Sequence, residues 1–276
     1  MKDHEVHASP APLLCRNLKT FRSCLTFFGR MRDSHCILDL RKVRFADPPA
    51  LVLLHHFARE SNGLGIYLPE VGPAKDYISD NLRMREAGAS VRSPNRYPLR
   101  YVASERHMVV ELGKWREMLL NSGALGEERA RQFSSNMSEV LINSFAHGGQ
   151  RNVRSIVAGQ TFPKKAHSVL AAVDSGQGIP TSLRRSGRYP GERSDEEWIL
   201  LALQRGVTSK SRETNRGFGL YLLQDMVRKN GGSMILVSGR GVVSITDGCE
   251  PKAEALGRSY PGFRGTFLIL DIRVSS

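Results

Sequence analysis

Apolar residues recur at three- and four-residue steps through Leu14, Leu18, Phe21, Leu25 and Phe28, which predicts a helix over residues 13–31 with one face turned to a core. Residues 36–40 are a short, mostly apolar run that predicts a buried strand, and 41–47 read as a loop. Pro49 suits the first turn of a helix, and the apolar run behind it carries that helix to about residue 60, where Gly63 and Gly65 end it. A strand over 66–68 and a helix over 74–84 come next. Strand, helix, strand, helix in that order predicts a small parallel-type α/β unit. The polar, proline-bearing stretch 90–98 then marks a boundary between two domains, 1–92 and 93–276.

Beyond the boundary the pattern predicts a strand over 99–103, a helix over 108–121 and a longer helix over 127–147. Two strands, 153–161 and 168–173, are joined by a turn at 162–165. Glycine-rich loops alternate with apolar stretches after that: helices over 194–204 and 220–229, and strands near 234–237, 242–246 and 265–272. Neither an internal repeat nor a low-complexity tract is present.

Composition narrows the setting. The longest aliphatic runs, such as 50–54, fall far short of the roughly 20 residues a spanning helix needs, so no membrane partner is expected. The opening Met1-Lys2-Asp3-His4-Glu5 mixes charges where an export signal would place a basic start and an apolar block. Cys15, Cys24, Cys36 and Cys249 show no CxxC spacing, which argues for reduced structural thiols and a cytoplasmic location. The net charge of +13 raises nucleic acid as a partner. The basic residues are scattered and often sit beside acids, so a solvated basic surface that favours anionic nucleotides is preferred.

Three blocks carry the candidate chemistry. Glu139, Asn143 and His147 are spaced by four and share one face of a helix. An amide oxygen there can ligate a hard cation such as Mg2+, and a carboxylate can orient or deprotonate an attacking group. A solvent-facing polar stripe gives the same pattern. The second block is an apolar strand that ends in Asp174, followed by Gly176, Gly178 and Ile179. A carboxylate at a strand end can accept a hydrogen bond from a purine amino group, and glycines let a base lie against the backbone. Alone, this is a common turn composition. The third block runs from Thr208, Ser209 and Lys210 to Arg216, Gly217, Phe218, Gly219 and Leu220. Glycines opening a helix expose N–H groups to phosphate, and Lys210 and Arg216 add positive charge. Neither a dinucleotide-binding GxGxxG after a first strand nor a GK[ST] loop is present.

In this order and at these separations the blocks resemble the N, G1 and G2 boxes of the GHKL superfamily, which holds gyrase-type, MutL-type and histidine-kinase ATP-binding domains. Gly265-Thr266-Phe267 looks like its short G3 element. The resemblance implies an α/β sandwich with a mixed sheet covered by helices on one face, and it implies ATP and Mg2+ as cofactors. Carried over by position, Asn143 would bind Mg2+, Glu139 would be the general base, and His147 would lie near phosphate or ribose. Asp174 would hold the adenine amino group, with Gly176 and Gly178 shaping its pocket. Residues 181–216 would form a mobile lid hinged at Gly217, Gly219 and Leu220, and Thr266 would act through a water near Asp174.

The run Ser138-Glu139 through Asn143 to His147-Gly148 is most similar to anti-sigma-factor serine kinases, although gyrase-type and MutL-type hydrolases share the glutamate four residues before the asparagine, and this resemblance implies γ-phosphate transfer to a serine or threonine of a partner protein. The rival readings are an ATP-gated switch that drives association with a partner or a homodimer, and a DNA-associated ATPase. The N-terminal run from Cys36 through Asp47 to Leu51 is similar to the strand, loop and helix start of STAS domains, although Pro48 and Pro49 stand where those antagonists carry a phosphorylatable serine.

Overall fold

The computed structural model describes residues 5–8, 14–15, 17–29, 36–60, 65–82, 95–123, 125–146, 155–209, 217–257 and 262–273. Strands β1 (Glu5–Ala8), β2 (Cys36–Asp39) and β3 (Gly65–Tyr67) form a parallel sheet in that order, linked by helices α1 (Leu18–Gly29) and α2 (Pro48–Glu60), with α3 (Pro73–Leu82) after them. The parallel α/β unit expected from the pattern is present, and β1 is an addition to it. Helix α1 starts later than expected. The Asn17 side chain accepts the Thr20 N–H at 2.9 Å and so caps the helix. Cys15 is held outside it, its N–H donating to the buried Asp47 carboxylate at 3.0 and 3.2 Å. Asp47 also accepts the Ala50 N–H at 3.0 Å, which makes the loop aspartate the cap of α2.

Seven further strands make the larger sheet: β4 (Arg96–Val102), β5 (Ser155–Phe162), β6 (His167–Asp174), β7 (Ser233–Gly239), β8 (Gly241–Thr246), β9 (Lys252–Ala255) and β10 (Phe263–Arg273). Their order is β4-β5-β6-β10-β7-β8-β9 and every pairing is antiparallel, which corrects the mixed sheet expected. Strands β6 and β7, joined through helices, do run in the same direction. The last strand, β10, inserts between them and turns both contacts antiparallel. Pro98, placed in the linker on sequence grounds, lies inside β4. It is tolerated because β4 is an edge strand and its register shifts between Tyr97 and Arg100.

Helices α4 (Glu105–Asn121), α5 (Glu127–Ala146) and α8 (Gly219–Asn230) pack on one face of this sheet, on Val157, Leu170, Ala172, Leu236, Leu268 and Leu270. The other face is covered too, which corrects the one-sided layer expected. Ile156, Ala158, Val169, Ala171, Val173, Val237, Phe267 and Ile269 form one core with α1 and α2. Strand periodicity of two produces this alternation, so consecutive residues of β6 serve different layers. Within the second core Phe21 stacks on Phe267 at 5.8 Å and His56 on Phe263 at 4.5 Å. Leu51, Val52, Leu53, Leu54 and Phe57 of α2 are fully buried. A helix apolar all round belongs between two layers, and burial of each such side chain stabilises the fold by about 1.5–3 kcal/mol. The proposed boundary at 92/93 lies outside the described residues.

Ser104 caps α4 through the His107 N–H, and inside the first turns of α4 Glu111 is buried. Tyr97 donates to its carboxylate, and Lys114 does so at 2.7 Å. Burial pushes the Glu111 carboxyl up, but the Lys114 and Tyr97 hydrogen bonds and the nearby Arg100 outweigh it and hold the group ionised. This network ties the edge strand to the helical layer.

Candidate functional site

Parity on two strands sets the floor of the site. Leu170, Ala172 and Asp174 alternate toward the helical face of β6, and Thr266 and Leu268 do the same on the adjacent β10. Above them lies a cleft with about 900 Å³ of space, its open mouth included. Leu141 of α5 forms one wall. Helices α6 (Ile179–Arg185) and α7 (Asp195–Ala202) supply Ile179, Ser182, Leu183 and Ala202, and the start of α8 supplies Gly219 and Leu220.

Asp174, Gly176, Gly178, Ile179, Thr208, Ser209, Gly217, Gly219, Leu220 and Thr266, picked from three separate stretches, all line this one cleft. Phe218 does not. It precedes α8, its carbonyl accepts the Leu222 N–H at 2.8 Å, and its ring lies 5.4 Å from the Arg205 guanidinium. His147, Lys210 and Arg216 lie outside the described residues, as do the side chains of Glu139 and Asn143, whose positions fall on α5. Among the described residues no group of three or more His, Cys, Asp or Glu is placed to hold a metal ion.

Asp174 dominates the electrostatics of the cleft. The residue as a whole is half-buried, but its carboxyl end is enclosed, and burial pushes that carboxyl up to about 6. Hydrogen bonds from the Gly176 N–H, at 2.7 Å, and from the N–H and hydroxyl of Thr266 pull the other way and are outweighed. Thr266 therefore reaches Asp174 directly.

Two glycines bring the backbones together beneath this carboxylate. Gly178 has φ +79°, and a Cβ there would lie 2.6 Å from Ser238 Oγ and 2.9 Å from the Gly265 carbonyl oxygen. Gly265 itself, at φ +84°, leaves no room for a Cβ against the Asp174 carbonyl. Ser238, fully buried on β7, is the clasp: its hydroxyl accepts the Ile179 N–H at 2.9 Å and donates to the Gly265 carbonyl at 2.7 Å. Sequence reasoning passed over Ser238, and its only signal is a polar residue closing the apolar run 234–237. Ser238→Ala leaves an N–H and a carbonyl without this partner and is expected to lower the unfolding free energy by about 1–3 kcal/mol in a urea titration. An unchanged midpoint would show that the clasp is not made.

Through residue 209 the stretch expected as a lid holds α6 and the helix α7, which the pattern places over 194–204. Trp198 and Leu183 are buried together with Ala202, and Ser194 and Glu197 form a capping box at the start of α7. The Tyr189 hydroxyl accepts the Thr208 N–H at 2.9 Å and lies 3.1 Å from the Thr208 carbonyl, and Ser182 donates to Ser209 at 2.7 Å. Gly206 donates to the Gly217 carbonyl at 3.1 Å, which closes the base of the segment between them. Helix α6 was missed because Gly-Ile-Pro reads as loop, although Pro180 suits a first turn.

No protein-family model and no curated protein sequence matches the chain.

Proposed function

We propose that the chain is a Mg-ATP-binding signalling protein of the GHKL type that transfers the γ-phosphate to a serine or threonine of a partner protein. The observation that carries this reading is the convergence of Asp174, the close-packed Gly178 and Gly265 beneath it and the glycine start of α8 on one cleft. An ionised Asp174, aligned by Thr266 and Gly176, accepts a hydrogen bond from a purine amino group, while Ala172, Leu183, Ala202 and Leu268 offer apolar surface to the ring. The start of α8 has no side-chain cap and no acid in its first turn, which suits a phosphate.

Mg2+ would neutralise charge on the phosphates, and Asn143 is the residue assigned to hold it. A site of this kind takes most of its ligands from phosphate and water, so a cluster of protein carboxylates is not required. Glu139 is assigned as base for the acceptor hydroxyl. The N-terminal unit is read as STAS-like and the location as cytoplasmic. A second reading, an ATP-gated switch, draws on the bonds from Ser182 of α6 to Ser209 and between Tyr189 and Thr208, which couple the cleft wall to the segment entering 210–216.

Incubation with γ-labelled ATP and an extract of the source cells tests the assignment. The expected result is label on a partner protein that disappears with Glu139→Gln. Tight ATP binding with no transferred label would leave the switch, and no ATP binding at all would end both readings.

A further inference from the structure

Two turns far apart in the chain meet at the end of β6 away from Asp174. The loop after β2 carries Arg41, Lys42 and Arg44, and the turn between β5 and β6 carries Lys164 and Lys165. The rings of Phe45 and Phe162, 6.3 Å apart, pin the two turns together. Lys42, Arg44, Lys164 and Lys165 are exposed, and none of the four makes an ion pair among the described residues. The carboxylates beside them are already engaged: Asp39 by Arg41 at 2.7 Å, Asp271 by His167 at 2.9 Å, and Asp47 as the buried cap of α2. Lys42 shares the Asp39 charge with Arg41, and Arg44, Lys164 and Lys165 have no ion-pair partner among the described residues, so the patch keeps an excess of positive charge that a polyanion relieves.

We propose that these two turns form a binding surface for the phosphate backbone of a nucleic acid, read without regard to base sequence. Phe45 and Phe162 are half-buried against each other, so the patch offers no apolar socket for the side chains of an acidic peptide. The chain's net charge of +13 adds a long-range attraction that favours the longest and densest polyanion. The surface does not compete with the cleft, since the eight residues of β6 hold the two about 23 Å apart at about 3.3 Å per residue. It belongs to neither half of the chain alone.

Anisotropy of a labelled DNA duplex of arbitrary sequence, titrated with the full chain in the absence of nucleotide, tests this over a range of salt concentrations. Four phosphate contacts give a slope of log K against log salt of about −3 to −4, and Lys164→Gln with Lys165→Gln is expected to reduce its magnitude by about 2. Arg106→Gln with Arg116→Gln on α4 removes the same charge elsewhere and should leave the slope nearly unchanged. Equal losses from both pairs would mean diffuse attraction and overturn the site. Equal or tighter binding of polyglutamate, or of phosphatidylserine vesicles, would overturn the choice of nucleic acid.

Discussion

Asp174→Asn is expected to abolish ATP binding and at the same time to make the protein more stable at neutral pH. An amide at this position presents one oxygen and two donors, so it no longer offers the charged acceptor proposed for the adenine amino group. The stability gain follows from the position of the carboxyl. Its folded-state value of about 6 lies above the ordinary 3.8, so the ionised form is disfavoured by folding. That cost is complete above about pH 6, and stability recovers as the pH falls from 6 toward 4. Two pH units correspond to about 3 kcal/mol at most, and asparagine, which keeps an acceptor for Gly176, should regain about 1–3 kcal/mol. Calorimetry at pH 7.5 should show a higher Tm for the variant, and at pH 4 the difference should vanish. In the unmodified chain, ATP affinity should fall about tenfold between pH 7.5 and pH 5 as the carboxylate is protonated. Retained ATP binding in Asp174→Asn would remove the site from consideration, and a pH-independent affinity would remove the carboxylate from it.

Gly265→Ala is expected to unfold much of the site rather than adjust it. The residue sits at φ +84°, and a Cβ there runs into the Asp174 carbonyl oxygen and comes within 2.8 Å of its carbon. Both partners are backbone in adjacent strands of a packed sheet, so neither can swing aside as a flexible side chain would. Left-handed strain and displacement of β6 from β10 together should cost about 3–5 kcal/mol, or roughly 10 °C in Tm for a chain of this size. Gly248→Ala is the matched control. It also has a positive φ, +68°, but nothing lies within 4 Å of the point its new methyl group would occupy, so only the conformational cost of about 1 kcal/mol applies. Equal losses from the two substitutions would show that the close approach at Gly265 contributes nothing.

Much of the site was legible because its residues obey local rules. An apolar strand closing in an acid and spaced glycines marked Asp174, Gly176 and Gly178, and glycines before an amphipathic run marked the start of α8. Ser182 and Leu183 were not legible, because α6 was read as loop, and Ala202, on a helix the pattern did predict, becomes cleft wall only when α7 folds back on the sheet. Phe218 was misassigned by proximity: in a helix start, neighbours point in different directions, and its ring turns to Arg205.

The sequence by itself determined most of the elements, though not β1, α6 or β9, and the kind of residue at the strand end that carries Asp174, since hydrophobic period, caps and glycine act over a few residues. Tertiary structure decided the rest. The insertion of β10 between β6 and β7, the packing of α2 between the larger sheet and α1, the Ser238 clasp and the meeting of Phe45 with Phe162 all join positions distant along the chain, where only packing of the whole molecule selects the partner.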